Sequence, residues 1–171
     1  MKVDGRPYRT IWLNDDGASV DVIDQRWLPH EFKVATLRSV AEAATAIRDM
    51  WVRGAPLIGA TAAYGLALAM REDPSDAALD AACDKLAATR PTAINLRWAL
   101  DAVRKHLTPI APRARAAAAY AEANRIADED VEINRAIGAH GLKILRRLGD
   151  IAQRRDLELV RKPALVDDVD A

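Results

Sequence analysis

Trp51-Val52-Arg53-Gly54-Ala55-Pro56-Leu57-Ile58-Gly59 is the stretch whose reading decides the fold. Gly54 lets the backbone take a positive φ or approach a ligand closely, and Pro56 has the fixed φ and missing N–H that suit the first position of a helix. A helix is therefore expected from Pro56 to about Met70. Its small residues Gly59, Ala60, Ala62, Ala63, Gly65, Ala67 and Ala69 lie on every side, so it belongs at the centre of the molecule, with Gly59 and Gly65 at tight contacts. The unpaired N–H groups of its first turn and the positive end of its dipole point back at Arg53, an arrangement that binds phosphate or carboxylate. Taken alone, these residues fit equally well a surface arginine beside an ordinary loop glycine.

Upstream, Ser39-Val40-Ala41-Glu42 has the form of a capping box and starts a helix whose apolar positions Val40, Ala43, Ala44, Ile47 and Met50 or Trp51 recur at helical spacing. This helix is expected to end at Arg53-Gly54. Before it, Arg9 to Leu13 and Ser19 to Ile23 read as strands joined by the turn Asn14-Asp15-Asp16-Gly17, and Glu31 to Leu37 alternates as a third. So small an antiparallel sheet is stable only when one face packs on something else, and the following helices are its cover. His30, beside Pro29, reads as a loop residue.

Downstream, Arg71 to Asp76 is a polar break, followed by a helix to about Ala88 in which Cys83 is a small core residue. Arg90-Pro91-Thr92-Ala93-Ile94-Asn95-Leu96 then repeats the opening grammar of arginine, proline and apolar helix, here running to about His106. A guanidinium makes paired hydrogen bonds to phosphate oxygens, so Arg53 and Arg90 would grip one phosphate from two sides if the two helix starts converge. Asn95 points either at that site or into its own helix. A long helix is expected from about Arg113 to His140, ended by Gly138 and Gly141. Its consecutive acids Asp128, Glu129, Asp130 and Glu132 point around the helix and do not converge, which makes them a solvated face and not a metal site. From Leu142 the pattern is a basic amphipathic helix broken by Pro163, and an acidic tail from Val166 to Ala171.

Half of the 171 residues are hydrophobic, enough for one domain, or one with a small appendage, around a real core. Lysine plus arginine equals aspartate plus glutamate at 25 each, so no overall field steers the chain to nucleic acid or anionic lipid. One cysteine permits neither an internal disulfide nor a cysteine-built zinc site, which fits a reducing cytosol. The first residues lack the apolar run of a signal peptide, and Ala55 to Met70 is too short to span a membrane. The sequence contains no Walker-type loop and no His-x-x-x-His pair, so no cofactor or metal is expected. These properties describe a cytoplasmic α+β protein in which a small antiparallel sheet packs on a helical bundle.

Three segments carry a resemblance: Val52 to Gly59, Thr89 to Leu96, and Glu129-Asp130-Val131-Glu132-Ile133-Asn134-Arg135-Ala136-Ile137-Gly138. With Asp4-Gly5-Arg6 and Leu28-Pro29-His30, they resemble the methylthioribose-1-phosphate isomerases of methionine salvage. That family is related to the regulatory subunits of the eukaryotic translation-initiation nucleotide-exchange factor. The resemblance covers Met1 to about Leu142 and implies that Arg53, Gly54, Ala55 and Arg90 hold the phosphate of a sugar substrate. The implied reaction is the aldose to ketose isomerisation of 5-methylthioribose 1-phosphate, which needs ring opening and then proton or hydride movement between C1 and C2 at an acid or base group kept from water.

The family places that chemistry, a cysteine in a Thr-His-Cys-Asn-Ala-Gly segment and an aspartate, in a C-terminal Rossmann-like domain. This sequence departs from the pattern there, reading Arg146-Arg147-Leu148-Gly149-Asp150-Ile151-Ala152-Gln153-Arg154-Arg155. The expectation is a family N-terminal domain over residues 1–142, with the sheet in 1–38 and the bundle in 39–142, followed by a divergent segment at 143–171. No catalytic residue is expected in this chain, and neither is activity by itself, as in a truncated or frame-altered product. A non-catalytic sugar-phosphate-binding or regulatory module, and an inert fragment whose exposed apolar face makes it self-associate into a homo-oligomer, are the alternatives.

Overall fold

The computed structural model describes residues 2–161. Five short strands precede five helices: β1 (Lys2–Val3), β2 (Arg6–Pro7), β3 (Ile11–Leu13), β4 (Val20–Ile23), β5 (Val34–Leu37), α1 (Val40–Arg48), α2 (Ala55–Glu72), α3 (Asp76–Ala87), α4 (Ile94–Leu107) and α5 (Pro112–Arg161). The architecture is α+β. The chain's contacts divide after Asp130, so the sheet, α1 to α4 and the first part of α5 form one unit.

The three expected strands form an antiparallel sheet in the order β3-β4-β5, with Trp12 opposite Asp21 and Asp21 opposite Thr36. Ile11, Val20, Val22 and Leu37 join the main core, and β3 meets α2 while β5 meets α1. Asp21 is buried on β4 without being orphaned, because Asn14 Nδ2 and Thr36 Oγ1 both donate to its carboxylate at 2.7 Å. In the β3–β4 turn, Asp16 accepts from Ala18 N, Ser19 N and Ser19 Oγ. The hydroxyl and amides of Ser19 and the amide of Ala18 favour its charged form and draw its pKa down to about 2.

Helix α2 is the centre of the fold, with every residue from Leu57 to Met70 buried. Its glycines have the expected cause. A Cβ on Gly59 would stand 2.9 Å from the backbone oxygen of Asn95 on α4, and one on Gly65 would stand 3.1 Å from both Ala43 Cβ and Leu86 Cδ1. Tyr64 donates from the same helix to Asn124 Oδ1 on α5 at 2.5 Å.

Four local expectations are corrected. Helix α1 ends at Arg48 and not at Arg53-Gly54, because Met50 turns left-handed at φ 57° and closes a Schellman motif, with Met50 N–H to Ile47 O and Trp51 N–H to Ala46 O. Pro56 occupies the second helical position of α2, Ala55 the first. Pro91 stands outside α4, in a turn closed by Ala93 N–H donating to Arg90 O at 3.0 Å, so that helix begins at Ile94. Helix α5 passes through Gly138 and Gly141 to Arg161, because neither glycine takes a positive φ and good helix formers flank both. The Pro163 break and the acidic tail from Val166 lie outside the described residues.

Two features escaped the sequence reading. Lys2–Val3 and Arg6–Pro7 pair as a small hairpin through Asp4 at φ 48° and Gly5 at φ 78°. Arg115, in an alanine-rich stretch, is only 4% exposed; it donates to Ile110 O and Pro74 O and pairs with Asp76 at 2.6 Å, tying α5 to the start of α3.

Candidate functional site

The helix starts fall into two kinds. At α1, Ser39 Oγ accepts from Glu42 N–H, and the Glu42 carboxylate accepts from Arg38 N–H. At α3, Ser75 Oγ accepts from Ala78 N–H, with Asp76 adding negative charge to the first turn. These two helices satisfy their own leading donors and neutralise their own dipoles. Helices α2 and α4 do neither: Gly54 and Ala93 stand at their N-caps, no side chain caps them, and their first turns contain no acidic residue.

The two uncapped starts are the two that follow Arg53 and Arg90. Arg53, Gly54, Ala55 and Arg90 are all exposed. Neither arginine side chain makes a hydrogen bond or ion pair among the described residues, whereas Arg26, Arg48, Arg104, Arg115, Arg125 and Arg135 each hold a carboxylate. Gly54 has φ 96°, a conformation that aims the chain from the Arg53 loop into α2 and that a side chain would strain.

The elements carrying these residues abut. The Gly59 contact places the fifth residue of α2 on Asn95, the second residue of α4. At 1.5 Å rise per residue, Gly59 lies only about 6 Å along the axis from the first helical residue of α2. Asn95 thus contributes its backbone oxygen to the helix contact, and the N-cap of α4 is the backbone of Ala93. The loop that delivers Arg53 is anchored immediately before it, with Val52 fully buried and Trp51 O accepting from Gln25 N–H at 2.8 Å. Arg26, itself paired with Asp24 at 2.6 Å, lies over the Trp51 ring. Sequence reasoning missed these supports, and it missed Ile94 and Trp98, which stand exposed one helical turn apart beside the Arg90 turn.

The remaining candidates do not join this site. Cys83 is buried in α3, and burial pushes its thiol up to about 11, so it is a core residue and not a nucleophile. His30 is exposed in the loop before β5. Asp128 pairs with Arg9 at 2.7 Å, Glu129 with Arg125 at 3.0 Å and Glu132 with Arg135, the solvated arrangement expected of that acidic run. Among the described residues no group of three or more histidine, cysteine, aspartate or glutamate side chains is placed to hold a metal, and no helix is long and apolar enough to cross a membrane.

The α+β fold thus brings two uncapped helix starts, each preceded by an arginine, together beside a buried central helix. The sequence matches the model of the initiation factor 2 subunit family over residues 51–152, and the chain belongs to that family. The match runs past Leu142, the limit of the motif resemblance. The methylthioribose-1-phosphate isomerase of Rhizobium meliloti strain 1021 is 65% identical over 94% of this chain and 44% of its own. Among solved structures, 5-methylthioribose 1-phosphate isomerase from Pyrococcus horikoshii OT3 superposes with a TM-score of 0.66 at 42% identity, over 72% of this chain and 37% of that one. The delta subunit of translation initiation factor eIF-2B from A. fulgidus superposes with 0.67 at 38% identity, over 74% and 38%. The chain spans less than half the length of these relatives.

Proposed function

We propose that this chain is the phosphate-holding part of a methylthioribose-1-phosphate isomerase, a cytoplasmic enzyme of methionine salvage. Arg53 and Arg90 clamp the phosphate of 5-methylthioribose 1-phosphate, while the N–H groups of Gly54 and Ala55 donate to its oxygens from the start of α2. The observation that carries this reading is the abutment of the only two helices among α1 to α4 that leave their N-termini uncapped, each preceded by an arginine with no partner among the described residues. The 65% identity to the Rhizobium meliloti isomerase supports this substrate over other sugar phosphates.

In this reading the phosphate is an anchor. Holding it fixes the sugar while C1 and C2 exchange oxidation state, and it supplies binding energy remote from the reacting atoms. The groups that move the proton are not among these 171 residues, where no segment matches the family's cysteine-bearing motif. The chain by itself is therefore expected to bind substrate without turning it over. Assaying the purified chain for formation of 5-methylthioribulose 1-phosphate tests this: turnover that is lost on Arg53→Ala would show that the catalytic groups are present after all.

A regulatory module using the same phosphate site is the second reading, favoured by the equally good superposition on the translation-factor subunit. Saturable binding without turnover fits both. Turnover regained on adding the remaining part of a relative's isomerase, dependent on Arg53 and Arg90, assigns the enzyme.

A further inference from the structure

Between two left-handed residues, Met50 at φ 57° and Gly54 at φ 96°, lie Trp51, Val52 and Arg53. A segment set off by two such reversals pivots at both ends unless its neighbours hold it. Part of the hold comes from α1, where Ala46 O accepts from Trp51 N–H at 2.9 Å and from Val52 N–H at 3.3 Å, and part from the buried Val52 side chain. Arg53, at the far end of the segment, is exposed and has no partner among the described residues.

The rest of the hold comes from the residues that follow β4. Gln25 N–H donates to Trp51 O at 2.8 Å, and the Arg26 guanidinium stands 4.6 Å from the centre of the Trp51 ring. That guanidinium is itself fixed, because its Nε and Nη2 donate to the two carboxylate oxygens of Asp24 at 2.9 and 2.6 Å, and Asp24 is buried. These hydrogen bonds hold the Asp24 carboxyl below its usual range, so the pair is ionised near neutral pH. Trp51 Nε1–H is buried with no hydrogen-bond partner among the described residues, so the indole is kept in place by its ring face and not by its polar edge.

We propose that Asp24 and Arg26 are positioning residues for Arg53, acting through the Trp51 ring to hold residues 51–53 where the Arg53 guanidinium meets the anion. The proposal rests on the phosphate reading given above. In this account neither Asp24 nor Arg26 touches the anion. With the clamp removed the segment spends part of its time elsewhere, and the apparent affinity falls in proportion to the fraction still in place.

Isothermal titration of the full chain with 5-methylthioribose 1-phosphate is the test, paired with amide hydrogen exchange. Arg26→Ala is expected to weaken binding about fivefold, the scale of one partly exposed cation–π contact, and to speed exchange at Trp51 and Val52 while thermal unfolding stays cooperative. Arg26→Gln, which still donates to Asp24 but places no charge over the ring, behaves in the same way. Arg26→Lys, which keeps a cation over the ring and beside Asp24, recovers most of the loss. In a chain carrying Arg53→Ala, Arg26→Ala costs less than about twofold, because its effect runs through Arg53, whereas a general loosening of the fold would cost the same in both chains. Undiminished affinity or unchanged exchange in the Arg26→Ala and Arg26→Gln chains overturns this proposal and leaves the phosphate reading standing. No recovery with Arg26→Lys, or the full loss in the absence of Arg53, does the same. No binding by the unaltered chain overturns both.

Discussion

Helix α2 contains the glycines Gly59 and Gly65, α5 has Gly138 and Gly141 among its glycines, and these two pairs exist for different reasons. In α2, Gly59 and Gly65 are where neighbouring helices come closest, and a methyl group at either would strike a backbone oxygen or a packed side chain. In the part of α5 beyond Asp130, Gly138 and Gly141 face open space. A glycine inside a helix is thus not one signal. Its meaning depends on whether the helix around it is apolar on all sides, as α2 is, or on one stripe only.

Single alanine substitutions break this comparison most directly. Gly59→Ala should have the largest effect, destabilising the chain by about 2 kcal/mol or more, because the obstacle is the backbone of Asn95 and the gain in helix propensity recovers only about 1 kcal/mol. Chemical denaturation measures it, and a neutral result would mean that α2 and α4 are not in contact at their starts. Gly65→Ala should cost about 1 kcal/mol, since the Leu86 side chain can turn away from the new methyl. Gly138→Ala should have the opposite sign, raising thermal helicity by a contribution of up to about 1 kcal/mol with no loss elsewhere.

Chemistry sharpens the contrast between buried and exposed regions further. The Cys83 thiol, pushed up to about 11 by burial, should resist alkylation at pH 8 in the folded chain and react on unfolding. The smallest effect belongs to the exposed β3–β4 turn. Asp16 is lowered from 3.8 to about 2, so its contribution to stability is complete above pH 3.8 and is lost as pH falls through about 2. Asp16→Asn should remove that part of the acid dependence, visible as a flatter stability profile between those values in urea titrations.

Legibility in the sequence followed how local the cause was. The sheet, the start of α1 and helices α2 to α4 could be read from alternation, from Ser39 as a cap, from small residues on all sides of one helix and from the polar break before α3. The end of α1 could not, because its left-handed position holds Met50, where the glycine that usually marks such an end is absent. Gly138 and Gly141 misled in the opposite direction, as glycines that end nothing. The β1–β2 hairpin had a readable signal in Asp4-Gly5, the favoured pair for a two-residue turn. Arg115 had none, since its burial depends on the carbonyls of Pro74 and Ile110 coming together. At the site, the arginines and their helices were visible one by one. Their adjacency was not, because it is created by the contact between Gly59 and Asn95, thirty-six positions apart in the sequence.

The central claim is that Arg53 and Arg90 bind one phosphate between two uncapped helix starts. Isothermal titration of the chain with 5-methylthioribose 1-phosphate tests it most directly, alongside Arg53→Ala, Arg90→Ala and the double variant. The account predicts saturable binding at one site per chain, weakened at least about tenfold by either substitution, with the double variant losing little beyond the first loss, as expected for two groups acting on one anion. Absence of binding by the folded chain, or binding that survives removal of both arginines, would contradict it.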